Sequence, residues 1–224
     1  MLAKTMITYT PSKQRIDNFV KIKESITDLS MLPAVDSVNC YEHHKSIALS
    51  ENLLTARYIE QNKNISGKLG CNLSHIYILQ RFLHTENPWL LVLEDDIALE
   101  AYNEELLLAL IPKAETQGSH YIQLYSNPKY FAWRQREVEK VDENLYKMIP
   151  QWHTCAYLIS KEGARRTLSH LPLDDNIDHV FGKLIPELNS LCWLNNMFHC
   201  KGALEGNDKS SEFGSIINDS CTEK

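Results

Sequence analysis

The run Trp89-Leu90-Leu91-Val92-Leu93 ends in three adjacent carboxylates, Glu94, Asp95 and Asp96. Neighbouring anions repel one another, and a divalent cation carrying a phosphorylated ligand offsets that repulsion through hard oxygen donors. A second acidic group, Asp174, Asp175 and Asp178, lies within five residues. One carboxylate group holding a metal and another free to take a proton is the division of labour that a transfer reaction needs.

Other candidates have competing structural readings. Ser74 and His75 open a strongly periodic helix behind Gly67 and Gly70. A histidine on an amphipathic helix is usually a satisfied structural residue, but the paired glycines suggest a close backbone approach there. His43 and His44 are adjacent and point apart on most backbones, so they read as part of a surface loop. Tyr130, Phe131 and Trp133 lie near Arg134 and Arg136 and read as a substrate-side loop, since aromatics with arginines stack on bases or sugars.

These groups need a scaffold that aims them at one place. Five large apolar residues in a row read as a strand buried on both faces, and in an open α/β sheet the acids at its C-terminal end face a ligand crevice. Upstream, Met6 to Thr10 reads as a strand broken by Pro11-Ser12 and followed by a helix. Leu32 to Val35 reads as a second strand, and residues 37–49 as irregular. Leu53, Leu54, Tyr58 and Ile59 form a helical face, and Leu69, Leu73, Ile76 and Leu83 form the stripe of the next helix. Downstream, Glu104 to Leu110 predicts a helix stopped at Pro112, Tyr121 to Tyr125 a strand, and Trp152 to Ser160 another. Ser160 can cap the helix carrying Ala164 and Leu168, and a less regular helix follows from Val180 to Leu188. Parallel strands joined by helices are the simplest account of this order.

The 224 residues fit one domain, 1–205, with 206–224 reading as a mobile tail. A net charge of −6 argues against nucleic-acid binding, which calls for a basic stripe. Lys161, Arg165 and Arg166 still form a local basic patch that could touch anionic lipid if exposed. No apolar stretch reaches a membrane span and no signal-peptide core is visible, so cytoplasmic residence is expected, including at the inner face of a membrane. The six cysteines show no C-x-x-C spacing and read as buried thiols in a reducing compartment.

The motifs Gly70-Cys71-Asn72-Leu73-Ser74-His75, Leu93-Glu94-Asp95-Asp96, Ala156-Tyr157-Leu158-Ile159-Ser160-Lys161-Glu162-Gly163-Ala164 and Pro172-Leu173-Asp174-Asp175-Asn176-Ile177-Asp178 resemble glycosyltransferase family 25. That family includes lipooligosaccharide galactosyltransferases and collagen galactosyltransferase domains. Thr8 to Arg15 looks like its opening strand and loop, and Ala34-Val35-Asp36 like its Ala-Val-Asp-Gly, with Ser37 in place of the glycine. The resemblance covers about residues 4–182 and implies a GT-A type, Rossmann-like α/β fold with a mostly parallel central sheet flanked by helices. It implies inverting transfer of a hexose, commonly galactose from UDP-galactose, with UDP-glucose the other donor, onto a hydroxyl of a glycan or lipid-linked glycan. The cofactor would be Mn2+ or Mg2+, with Asp95, Asp96 and His199 as ligands. Asp178 or Asp175 would act as base, while Arg15, Ser74, His75, Glu94, Asp95 and Tyr157 would line the substrate pocket. A catalytically inactive binding relative and a nucleotide-sugar hydrolase are the alternatives.

Overall fold

The computed structural model describes residues 1–125, 138–150, 154–195 and 197–200. Strand β1 (Leu2–Thr8) passes Pro11 and enters α1 (Lys13–Ser25), whose N-cap Ser12 accepts the Arg15 N–H at 3.4 Å. After β2 (Ser30–Pro33) come α2 (Tyr41–Ser50), α3 (Ala56–Gln61) and α4 (Ser66–Leu83). The acidic strand is β3 (Trp89–Glu94), followed by β4 (Ile97–Leu99), α5 (Glu104–Thr116), β5 (Tyr121–Gln123), β6 (Lys140–Asp142) and β7 (Leu145–Lys147). The chain then forms β8 (Ala156–Ser160), α6 (Lys161–Leu168), α7 (Ile177–Lys183), α8 (Ile185–Leu188), β9 (Leu191–Trp193) and β10 (Phe198–Cys200).

Eight strands form one sheet in the order β2-β1-β3-β8-β5-β9-β7-β6, and β4 pairs with β10 beside it. Six of the eight run one way, with β8 and β7 reversed. The mostly parallel direction is therefore as expected, but β8 enters antiparallel between β3 and β5. Strands β1, β2 and β3 all end at one edge, with Thr8 opposite Pro33 and Ile7 opposite Glu94.

Strand β3 is buried on both faces, as its unbroken apolar run requires. Leu90 and Val92 pack with Leu69, Leu73 and Ile76 of α4, while Trp89, Leu91 and Leu93 pack with Phe19 and Ile22 of α1 and Leu107 and Leu110 of α5. Each such side chain contributes roughly 1.5–3 kcal/mol by leaving water, which holds the strand end firmly in place.

Some elements depart from the sequence expectation. Residues 41–50 form α2 instead of irregular loop, so His43 and His44 are helical; burial of Ala48 and a bond from the Tyr41 hydroxyl to the Ile59 carbonyl hold it. Helix α5 runs through Pro112 to Thr116, because the bond lost there faces Leu108 on the half-exposed side. The second strand begins and ends two residues earlier than expected. Ser160 does cap α6, accepting the Gly163 N–H at 3.0 Å. The aromatic and arginine segment 129–137 and the tail 206–224 lie outside the described residues.

Candidate active site

The cleft opens where β1, β2 and β3 end, between those strand ends and the first half of α4. Its lining includes Tyr9, Arg15, Ser37, Gly70, Cys71, Ser74, His75, Glu94, Asp95 and Asp96. The helix comes close because residue 70 is glycine: a Cβ there would stand 2.5 Å from both Ser37 Oγ and the Val35 carbonyl oxygen. Ser74 Oγ accepts the Val35 N–H at 2.9 Å and donates to the Gly70 carbonyl at 2.6 Å. That hydroxyl therefore fastens the helix to the loop after β2. Ser37, at the position of the family's glycine, has no positive φ to require one, and its Oγ donates to the Ser66 carbonyl at 2.6 Å.

The three acids at the strand end have different tasks. Asp95 lines the cleft, but unlike the free metal ligand expected of it, both its carboxylate oxygens are engaged by protein. Its carboxylate pairs with the buried Arg15 guanidinium and accepts the Tyr9 N–H at 2.5 Å, while Asn18 Nδ2 donates to the Asp95 and Ile97 carbonyls at 2.9 and 2.8 Å. Burial raises the Asp95 pKa, with Arg15 opposing it. Arg15 is thereby committed to Asp95, although it does line the cleft.

Asp96 is half-buried. Its Oδ1 is closed to solvent and has no hydrogen-bond partner among the described residues. Burial first and repulsion from Glu94 second push its pKa up to about 7, with Arg15 pulling the other way. A carboxylate oxygen buried without a donor is costly unless a cation joins it.

Glu94 is held by a buried relay. His75 Nε2 lies 3.0 Å from Glu94 Oε1, and Thr154 Oγ1 donates to the same oxygen at 2.7 Å. On the other side of the ring, His75 Nδ1 lies 2.9 Å from the Tyr157 hydroxyl. Burial keeps Tyr157 protonated by raising its pKa. If Nε2 donates to Glu94, Nδ1 accepts from the Tyr157 hydroxyl. His75 and Tyr157 are 1% and 0% exposed, so both brace the relay, and His75 alone of the two reaches the cleft wall.

The second acidic group is tied to α4 through Asn72, and its three acids are not among the residues lining the cleft. Asn72 Nδ2 donates to the Asp175 carbonyl at 2.9 Å and its Oδ1 accepts the Ile177 N–H at 2.8 Å, tying α4 to the start of α7. Asp174 pairs with Arg57 on the surface. Asp175 accepts from Lys183 and His179, each at 2.9 Å. Burial would raise the Asp175 pKa, but those bonds and the Asn176 N–H outweigh it and hold the carboxyl below its ordinary range. Asp178 accepts only its neighbour's His179 N–H, at 2.9 Å, among its bonds to described residues. Burial raises the Cys71 thiol pKa, and the charges adding to it are Glu94, Asp178, Asp96 and Asp95 in that order.

His199 does not join the expected metal set. It sits on β10 opposite Ala98, with Nε2 3.3 Å from Glu100. Among the described residues, the metal-capable trio with donor atoms mutually within 4.8 Å is Cys71, His75 and Glu94. Cys71, Asn72, Thr154 and Tyr9 were not singled out from the sequence. Only Cys71 had a signal, its i,i+4 spacing to His75 on a helix. The basic patch on α6 carries its own acid, since Arg165 and Arg166 pair with Glu162 and Lys161 donates to the Thr85 carbonyl. No described helix is long and apolar enough to cross a membrane.

Residues 7–180 match the family model "Glycosyltransferase family 25 (LPS biosynthesis protein)". Over 120 residues the chain is 28% identical to a glycosyltransferase 25 family member of Drosophila melanogaster, covering 54% of this chain and 18% of that protein. Over 119 residues it is 32% identical to a Haemophilus influenzae protein described as a glycosyltransferase, covering 51% and 40%. The matched stretch thus spans less than half of either relative. Mouse xyloside xylosyltransferase 1, in its apo crystal structure, aligns over 88% of this chain and 78% of its own, with 12% identity and a TM-score of 0.39.

Proposed function

Because the chain belongs to glycosyltransferase family 25, we propose that it transfers a hexose from a nucleotide sugar, UDP-galactose or UDP-glucose, onto a glycan hydroxyl with inversion. The observation that carries this reading is Asp96 Oδ1, a buried carboxylate oxygen without a donor among the described residues, beside Glu94 in a cleft at the strand ends. Oxygen donors of this kind fit a hard cation, whereas the protonated Cys71 thiol does not. Glu94 and Asp96 would hold Mn2+ or Mg2+, which when bound neutralises charge growing on the departing diphosphate.

The remaining work belongs to side chains. Glu94 is preset by His75 and Thr154, so it needs no reorganisation when the donor arrives. We assign the base to Asp178, because Asp174 and Asp175 are both engaged by cations and Asp178 has none among its described contacts. It would take the proton of the acceptor hydroxyl as that oxygen attacks the anomeric carbon opposite the leaving UDP. Such acceptors include lipooligosaccharide and other lipid-linked glycans. The five described cysteines are all free thiols, which supports a cytoplasmic setting.

Calorimetry of UDP with and without Mn2+, followed by a screen of UDP-sugars and acceptors, tests the reading. Metal-dependent UDP binding and acceptor-dependent UDP release are expected. Absence of UDP binding in the presence of Mn2+ would overturn it, and release indifferent to acceptor would make the protein a hydrolase.

A further inference from the structure

Cys71 and His75 stand one turn apart on the same face of α4, and Glu94 faces them from the end of β3. A thiol, an imidazole and a carboxylate from two rigid elements thus meet in the cleft wall, with donor atoms all within 4.8 Å of one another. We propose that Cys71, His75 and Glu94 form a zinc site, and that Zn2+ bound there shuts down the cleft by taking Glu94 away from the harder cation. The second half of this proposal rests on the glycosyltransferase reading; the zinc site itself does not.

The donor set is one that Zn2+ favours over Mn2+ or Mg2+. Zinc accepts sulfur, nitrogen and oxygen together, and three protein ligands with one open position is its usual arrangement in accessible clefts. For the nitrogen and oxygen donors the geometry needs little movement. A tetrahedral zinc keeps nitrogen and oxygen ligands about 3.3 Å apart and sulfur about 3.6 Å from either. His75 Nε2 and Glu94 Oε1 already lie 3.0 Å apart, so the ion replaces the hydrogen bond between the same two atoms.

The outer contacts suit it as well. When Nε2 binds zinc, the ring proton sits on Nδ1, and the Tyr157 hydroxyl oxygen, 2.9 Å away, accepts it. Thr154 Oγ1, 2.7 Å from Glu94 Oε1, keeps that carboxylate oriented. The proton balance is simple: Cys71 gives its thiol proton to solvent as sulfur binds the ion, and His75 loses the proton on Nε2 and takes one up on Nδ1 by exchange with solvent, so one proton is released per zinc bound.

The test is zinc X-ray absorption on the metal-stripped chain given one equivalent of Zn2+, with Mn2+ binding followed in parallel by electron paramagnetic resonance. We expect one sulfur neighbour in the wild type and in Cys40→Ser, which alters an exposed thiol that does not line the cleft, and no sulfur neighbour in Cys71→Ser. Zinc affinity of Cys71→Ser should fall at least about 100-fold, beyond the loss typical of an outer contact. Zinc should also protect Cys71 from alkylation in the wild type, which decides the matter even if Cys71→Ser folds poorly. Zinc ligated only by nitrogen and oxygen, or alkylation of Cys71 unchanged by zinc, overturns the site. Displacement of bound Mn2+ by one equivalent of Zn2+ supports the shutdown, and simultaneous binding of both ions overturns it. Sulfur-ligated zinc in a chain that binds no Mn2+ supports the site and overturns the metal reading of the transferase.

Discussion

Arg15, in the first turn of α1, forms a buried ion pair with Asp95 beyond the end of β3. The pair joins α1 to the acidic strand end, and although all three acids line the cleft it leaves Asp95 engaged by protein on both carboxylate oxygens. Asp95 serves the scaffold; Glu94 and Asp96 serve the site.

If Arg15 is a scaffold residue, Arg15→Met leaves Asp95 buried without its cation. Breaking such a pair from one side costs about 3–5 kcal/mol. Urea denaturation should show a loss of that order, and a loss below about 1 kcal/mol would mean the pair holds little.

Asp96 ties metal binding to pH. Its folded-state pKa is raised from 3.8 to about 7, so between these values the folded chain holds a proton that the unfolded chain has released. Stability contributed by Asp96 is then present at low pH and lost as pH rises through that window. In metal-free protein, Asp96→Asn should raise Tm relative to wild type above about pH 7 and change it little near pH 4. Excess Mn2+ should reverse the ranking at neutral pH by stabilising the wild type alone. Equal Mn2+ stabilisation of both proteins would remove Asp96 from the metal site.

Asp178 and Asp175 should respond oppositely to amidation. Asp178→Asn removes the proposed base and should lower kcat roughly 10²–10⁴-fold with donor KM nearly unchanged. Asp175→Asn removes acceptors for Lys183 and His179 and should lower Tm at neutral pH. Because the Asp175 pKa is lowered, its stabilisation exists above the ordinary carboxylate pKa and fades as pH falls through the folded value, so the Tm gap should close in acid. An unchanged rate in Asp178→Asn would move the base elsewhere.

Gly70 sets how closely α4 approaches the loop after β2. Gly70→Ala places a methyl group 2.5 Å from Ser37 Oγ and the Val35 carbonyl oxygen, and overpacking of this kind costs about 1–3 kcal/mol. Adding Ser37→Gly should recover only part of the loss, because the Val35 backbone remains in the way. Full recovery in the double variant, measured by thermal melting, would show that the backbone yields there.

Much of this was written in local pattern. The apolar run from Trp89 to Leu93 reads as a strand buried on both faces, since nothing polar alternates in it, and the acids follow at its C-terminal end. The stripe of α4 and the Ser160 cap likewise depend on neighbours a few residues away. What local pattern could not decide was anything set by partners distant in the chain. Asp95 and Asp96 are chemically identical in the sequence, and Arg15 and the Tyr9 N–H, 80 and 86 residues earlier, engage one of them and leave the other. The 37–49 segment became helical partly through Ile59 and a buried Ala48, and β8 entered antiparallel because β3 and β5 flank it. Chemistry at the site therefore follows from residue types, while the assignment of tasks among like residues follows from long-range packing, because burial and charge pairing act through space and not along the chain.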